Sequence, residues 1–335
     1  MTKWYMLAGA ENDVAVSSKV SLARNLRDYA FTIRLSAEEK EQVAAVVETA
    51  VREHLPNKFI TTKMGDLSRY AAISLAEREL VSPEFVSLSE GRTFLMTPDE
   101  SLSLMICEED HVKIQSILPG LELMKAYELS DRMDTILDEA LGFSFDPKLG
   151  YLTQCPTNIG TAMRASVVLQ LPALHLLNRV RHVSTMVSRL GLVLTGAYGE
   201  GDDPAGSLYL LTNQMTLGIS EEAALQNLQS LALSLIEQER DARKELMENL
   251  PFQDMLWRSY GTLRTARVIS FREFMEALSV VKVGIAADTF DLPMNTVNEL
   301  IFSMQPATLN TESGMALDRQ ERDALRAERV REVFQ

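Results

Sequence analysis

Between residues 36 and 54 the apolar positions Val43, Val46, Val47 and Val51 recur at helical spacing behind three early acids, Glu38, Glu39 and Glu41. That pattern predicts an amphipathic helix. The period then shortens to two. Residues 93–96 and 101–107 read as strands flanking Thr97-Pro98-Asp99-Glu100, a turn-forming set, so a hairpin is expected. A second hairpin should pair residues 190–198 with 207–213 across a Gly- and Asp-rich loop, residues 199–206, whose composition predicts mobility. From Ser220, Leu225, Leu228, Leu231, Leu235 and Ile236 return to helical spacing and predict a long helix reaching about Glu248. Beyond Pro251 the signals are only helical, over residues 272–281, 296–304 and 318–334. The expected architecture is α+β: an antiparallel sheet flanked by helices over residues 1–249, then a smaller all-α domain over 250–335.

Composition narrows the picture modestly. A chain of 335 residues with 46% hydrophobic and 24% charged positions can bury one large core, or a large and a small one. A formal net charge of -14 weighs against sequence-independent nucleic-acid binding, which needs clustered Lys and Arg. The apolar part of residues 1–10 is too short for a signal peptide, and no apolar run is long enough to span a bilayer, so a cytoplasmic location without membrane association is expected. Two cysteines, Cys107 and Cys155, offer no disulfide framework and fit a reducing compartment.

Candidate chemistry begins where the first hairpin ends. Glu108, Glu109 and Asp110 follow the second strand directly. Acids so placed can hold a metal or a cation; an acidic strand-to-loop junction is the plainer alternative. Near the end of the chain, Arg322 and Arg326 stand four apart on a helical pattern with Asp323 beside them. One face of that helix could clasp a phosphoryl group and an attached guanidinium. A solvated charged helix is the competing reading, because Arg319, Arg329 and Arg331 surround the pair.

Five motifs occur in one order: Ser17-Ser18-Lys19-Val20-Ser21-Leu22-Ala23-Arg24-Asn25; Glu108-Glu109-Asp110-His111; Cys155-Pro156-Thr157-Asn158 with Arg164-Ala165-Ser166; Tyr198-Gly199-Glu200-Gly201; and Arg322-Asp323-Ala324-Leu325-Arg326-Ala327. With them the chain resembles the bacterial protein arginine kinases of the phosphagen (guanidino) kinase superfamily, from about Val16 to about Phe334. The resemblance implies a guanidino-kinase-like sheet and transfer of the ATP γ-phosphoryl group to arginine guanidinium groups of proteins in bacterial protein quality control. It implies ATP and Mg2+ as cofactors. Glu109 and Glu200 would orient the acceptor guanidinium and draw off its proton, while Glu108 and Asp110 would hold magnesium, largely through water. His111 would be a hydrogen-bonded structural residue. Cys155 would lie close to the guanidinium, as a reactive thiol or an inert one.

On the nucleotide side the resemblance assigns Ser18, Lys19, Ser21, Lys113, Arg164 and Ser166. Five family arginines correspond here to Lys19, Ser21, Lys113, Arg164 and Thr195, and Cys107 replaces a family asparagine. Lysine keeps the charge without the planar fork; serine and threonine keep neither. Losing two charged hydrogen bonds at roughly 1.5–3 kcal/mol each would slow transfer by about two to four decades. Two readings follow: a working kinase with a remodelled phosphate site, or a degenerate pseudokinase acting as a phosphoarginine- or partner-binding module. By the same resemblance Arg322, Asp323 and Arg326 form a phosphoarginine receptor, the chain is a homodimer, and a zinc-binding activator protein and a Clp unfoldase are partners.

Overall fold

Eight antiparallel strands form the central sheet of the computed structural model, which describes residues 2–56, 58–88, 91–198 and 204–335. In chain order they are β1 (Ala15–Arg24), β2 (Ile60–Lys63), β3 (Thr93–Met96), β4 (Leu102–Ile106), β5 (Val112–Pro119), β8 (Met163–Gln170), β9 (Leu192–Gly196) and β10 (Leu208–Asn213), with a separate ribbon of β6 (Phe145–Asp146) and β7 (Gly150–Tyr151). The spatial order is β2-β3-β4-β5-β1-β8-β10-β9. Both expected hairpins are present, as β3–β4 and β9–β10.

The centre of the sheet is β1, flanked by β5 and β8 and buried along most of its length. Its alternation sorts the first motif. Val20 and Leu22 turn into the core, under α4 (Leu123–Leu141), which packs on β1 and β5. Lys19 and Ser21 turn to the opposite face. Such period-two sorting means that neighbours in sequence serve different surfaces.

The other helices of this part are α1 (Ala37–His54), α2 (Arg69–Glu77), α3 (Pro83–Ser87), α5 (Pro172–Leu176), α6 (Val180–Arg189) and α7 (Glu221–Met247). The first starts at a reciprocal capping box between Ser36 and Glu39, and α7 starts where the Ser220 hydroxyl accepts from Ala223 N. Then follow α8 (Leu250–Thr265), α9 (Phe271–Ala286), α10 (Met294–Ser303), α11 (Pro306–Ser313) and α12 (Arg319–Val333). Three of these match the expected helices. Pro251 does not end helical structure but opens α8, in a first turn where its missing N–H is not needed. The late helices pack back on the sheet side: α11 lies against α2, and Glu77 accepts from Ala307 N at 2.9 Å and from Thr308 N at 2.7 Å, capping α11 from another element. One cluster of buried apolar residues runs from Trp4 to Phe334.

Candidate active site

The face of the sheet carrying Lys19 and Ser21 forms one wall of a cavity of about 1110 Å³. Strand neighbours complete that wall, because register sets Ser21 between Gln115 and Arg164, and Lys19 next to Ser166. Lys113 on β5 and Thr212 on β10 also line it. The segment from Met64 to Ser87 supplies the facing wall, with mainly apolar side chains such as Leu67, Ile73, Val81 and Val86, plus Arg69.

Each sheet cation in this cavity has a partner. Lys19 Nζ lies 3.4 Å from Glu79 Oε2, and the same carboxylate accepts from the Tyr198 hydroxyl at 2.9 Å through Oε1. Burial and then the Glu79 charge push the Tyr198 phenol well above its usual range, so it stays protonated. Lys113 Nζ pairs with Glu108 Oε2 at 3.0 Å, while the Ser82 hydroxyl donates to Glu108 Oε1. Arg164 donates to Asn213 O at 3.1 Å and to Asn158 Oδ1 at 3.0 Å, tying the Cys155–Asn158 motif to β8 and β10. Gly160 makes that tie possible, since a Cβ there would fall 2.0 Å from Thr216 O. Arg69 is exposed and has no ion pair or hydrogen bond among the described residues.

The acids sit on the turn between β4 and β5. Cys107 N donates to His111 O at 2.9 Å, and Cys107 itself is left-handed at φ 59°, a conformation asparagine adopts more readily. Asp110 is buried, its Oδ1 accepting from Asn25 Nδ2 at 2.6 Å and from Gln154 N at 2.7 Å, which leaves Oδ2 for any other contact. That second bond fixes the residue next to Cys155. His111 is also buried: Nδ1 accepts from Leu26 N at 3.0 Å and Nε2 donates to Ala30 O at 2.7 Å, the neutral tautomer. Burial lowers its pKa. Glu109 alone of the three acids points outward. Its pKa is raised by partial burial and by the charges of Asp110 and Glu108, against the pull of Lys113 and Arg164.

Some expected positions are placed differently. Ser18 does not face the cavity: fully buried on the other side of β1, its hydroxyl donates to Gly120 O at 2.8 Å and accepts from Glu122 N at 2.9 Å. It is one residue out of phase with Lys19 and Ser21, and strand alternation decides the matter. Thr195 is exposed on β9, and Glu200 lies outside the described residues. Cys155 is half-buried with Sγ 3.0 Å from Thr157 Oγ1. Glu79, Ser82 and Arg69 come from segments without a motif and gave no sequence signal, while Tyr198 opens the Tyr198-Gly199-Glu200-Gly201 motif but had no role assigned to it.

In the last helix, Arg326 is not a free arm. It is 1% exposed and donates to Met304 O and Ile269 O, each at 2.9 Å, and to Asp323 Oδ1. Arg322 is half-buried and donates to Leu317 O at 2.7 Å. The expected pair of equivalent arms is therefore corrected to one accessible guanidinium beside one built into the core.

Two family models match the chain. The ATP:guanido phosphotransferase C-terminal catalytic domain matches residues 39–242, and the protein-arginine kinase McsB C-terminal domain matches residues 249–335. The protein-arginine kinase of Geobacillus sp. (strain WCH70) is 38% identical over 99% of this chain and 93% of its own length. That of Desulforamulus reducens is 39% identical over 99% and 95%.

The chain belongs to the protein-arginine kinases.

Solved phosphagen kinases show the same fold. The duplicated taurocyamine kinase from Schistosoma mansoni aligns with TM-score 0.61 and 24% identity over 70% of this chain and 34% of its own. Lombricine kinase aligns with TM-score 0.61 and 22% identity over 68% and 67%. Among the described residues no helix is long and apolar enough to cross a membrane, and no group of three or more His, Cys, Asp and Glu side chains could hold a metal ion.

Proposed function

We propose that this chain is an ATP-dependent protein arginine kinase that moves the γ-phosphoryl group of ATP to arginine guanidinium groups of proteins. The observation that supports it best is the exposed Glu109 within electrostatic reach of Lys113 and Arg164, two cations lining a nucleotide-sized cavity. Lys19, Ser21, Lys113, Arg164 and Ser166 would hold the phosphates, and the apolar wall would take the base. Glu108 and Asp110 Oδ2 would face the magnesium hydration shell; the ion, when bound, neutralises phosphate charge.

In the reaction a guanidinium nitrogen bonds to the γ-phosphorus as the bond to the β–γ bridging oxygen breaks, releasing ADP. The acceptor must lose a proton, and a guanidinium with a pKa above roughly 12 does so only beside a positioned base. Glu109, with its raised pKa, accepts that proton. Glu200 is the second orienting carboxylate by family pattern, and Cys155 lies beside the acceptor. Phosphoryl transfer of this kind rests on positioning and charge neutralisation.

On the same reading Arg322 and Asp323 receive phosphoarginine at the accessible edge of α12, while Arg326 supports them from beneath. Residues 1–249 form the catalytic domain and 250–335 the helical one. The protein acts in the cytoplasm as a homodimer, with a zinc-binding activator and a Clp unfoldase as partners.

Incubation with Mg-ATP and an arginine-rich protein, followed by mass spectrometry that avoids acid, should find phosphoarginine. Glu109→Gln should lower its formation by about 10²-fold or more, with ATP affinity held within about twofold. No phosphoarginine from the wild type would move the assignment to the binding module without turnover, and equal turnover in the variant would remove Glu109 from its role.

A further inference from the structure

Glu79 occupies an unusual place for a residue outside every motif. Its backbone is left-handed, at φ 62°, a conformation that costs a non-glycine residue on the order of 1 kcal/mol. The segment is held there by Gln115 Nε2, which donates to Glu79 O at 2.8 Å. The result is a carboxylate aimed into the cavity, where it meets Lys19 Nζ and the Tyr198 hydroxyl, one on each oxygen. Lys19 is the cation that stands in for a family arginine.

Two features mark the pair as exchangeable. The Lys19–Glu79 distance of 3.4 Å is long for a charged contact, and the side chains keep 25% and 10% of their surface exposed to the cavity. Lys19 is thus neutralised while staying within reach of an incoming anion. The Tyr198 hydroxyl donates to the other Glu79 oxygen, Oε1, so its bond does not depend on the oxygen that Lys19 meets. The neighbouring acid Glu77 is engaged elsewhere, on α11, and does not compete.

Building on the nucleotide reading of this cavity, we propose that Glu79 is a resident stand-in for the phosphates: a positioning residue that holds Lys19 until the triphosphate displaces it. ATP affinity is then set by an exchange of carboxylate for phosphate. Tyr198 governs that exchange, since its hydroxyl shares the Glu79 charge and weakens the grip on Lys19.

Two neighbouring changes should shift nucleotide affinity in opposite directions. Glu79→Gln keeps the shape and removes the charge; Mg-AMP-PNP should bind about threefold to tenfold tighter by calorimetry. Tyr198→Phe leaves the full charge on Lys19 and should weaken binding by about twofold to fivefold. Lys19→Met should weaken binding less in the wild type than in Glu79→Gln, where the lysine is no longer neutralised, and this double-mutant cycle reads the exchange directly. Thermal melting of each variant keeps folding separate from binding. A purely structural ion pair would shift both neighbours in one direction; weaker or unchanged binding in a folded Glu79→Gln protein, or additive effects in the cycle, overturns the proposal. If Glu79→Gln does not fold, Tyr198→Phe with unchanged or tighter binding overturns it as well. Binding that ignores Lys19, Lys113 and Arg164 substitutions in every background places the nucleotide elsewhere, and then the cavity reading itself falls, taking this inference with it.

Discussion

Lys19 and Lys113 each lean on one carboxylate and keep 25% and 28% of their side chains exposed. Arg326, on the last helix, is 1% exposed and donates to two backbone carbonyls as well as to Asp323. Both regions carry cations on residues that the family pattern links to phosphate, yet their commitments differ. A side-chain carboxylate can release a cation to a better anion. A buried carbonyl cannot, because losing its donor leaves a polar group without water or partner. The two lysines of the sheet are poised to exchange, and the arginine of the last helix is part of the architecture.

The strongest test of that contrast is Arg326→Ala. Removing a buried head group orphans Met304 O and Ile269 O and takes from Asp323 its nearer cation, and should destabilise the fold by about 3–5 kcal/mol in chemical denaturation. A loss below about 1 kcal/mol, with phosphoarginine binding abolished, would instead restore Arg326 as a ligand-binding arm. Next in size is Ser21→Arg. Ser21 faces the cavity between Gln115 and Arg164, so an arginine there should add a charged hydrogen bond to bound ATP worth about 1.5–3 kcal/mol, one to two decades in affinity. Unchanged affinity would mean that the phosphates do not pass β1.

The acid turn gives a smaller, pH-dependent effect. His111 is held neutral between Leu26 N and Ala30 O, with its pKa below the usual 6.5. A depressed imidazole binds its proton more weakly when folded, so its contribution is fully present above about pH 6.5 and is lost as pH falls toward the folded pKa. Stability measured at stepwise lower pH should show this loss, and His111→Asn should reduce the slope; an unaltered slope would assign acid sensitivity to other groups. Smallest is Cys107→Asn. Asparagine tolerates φ 59° better than cysteine, so the change should stabilise by at most about 1 kcal/mol, and a loss of more than that would show that burial of the thiol outweighs backbone strain.

Hydrophobic spacing revealed both hairpins and the long α7, because amphipathic elements write their buried face into the period. It did not reveal β8, a strand buried on both faces at its centre, nor β1, whose alternation covers only Lys19 to Leu22 within a strand buried along most of its length. Motifs singled out, by resemblance, Lys19, Ser21, Lys113 and Arg164, which the structure places around one cavity. They misplaced Ser18, since a motif is linear while a strand sends alternate residues to opposite surfaces. Arg326 was misread for a related reason: helical spacing gives the face a residue shares, not the depth to which that face is buried. Glu79 was invisible because its position follows from a left-handed turn and from partners on β1 and beyond β9.

Glu77 ties the completion of the cavity to the order in which the chain is made. Its carboxylate is made early, but the N–H groups it caps belong to α11, 230 and 231 residues later in the chain. At translation speeds of about 5–20 residues per second, that carboxylate waits roughly 10–50 s for its partners. Through this interval the wall of the cavity that carries Glu77 and Gln305 is unfinished. We therefore expect a ribosome-held nascent chain to gain its nucleotide cavity only as the last helices emerge, so that a truncated product is born without one.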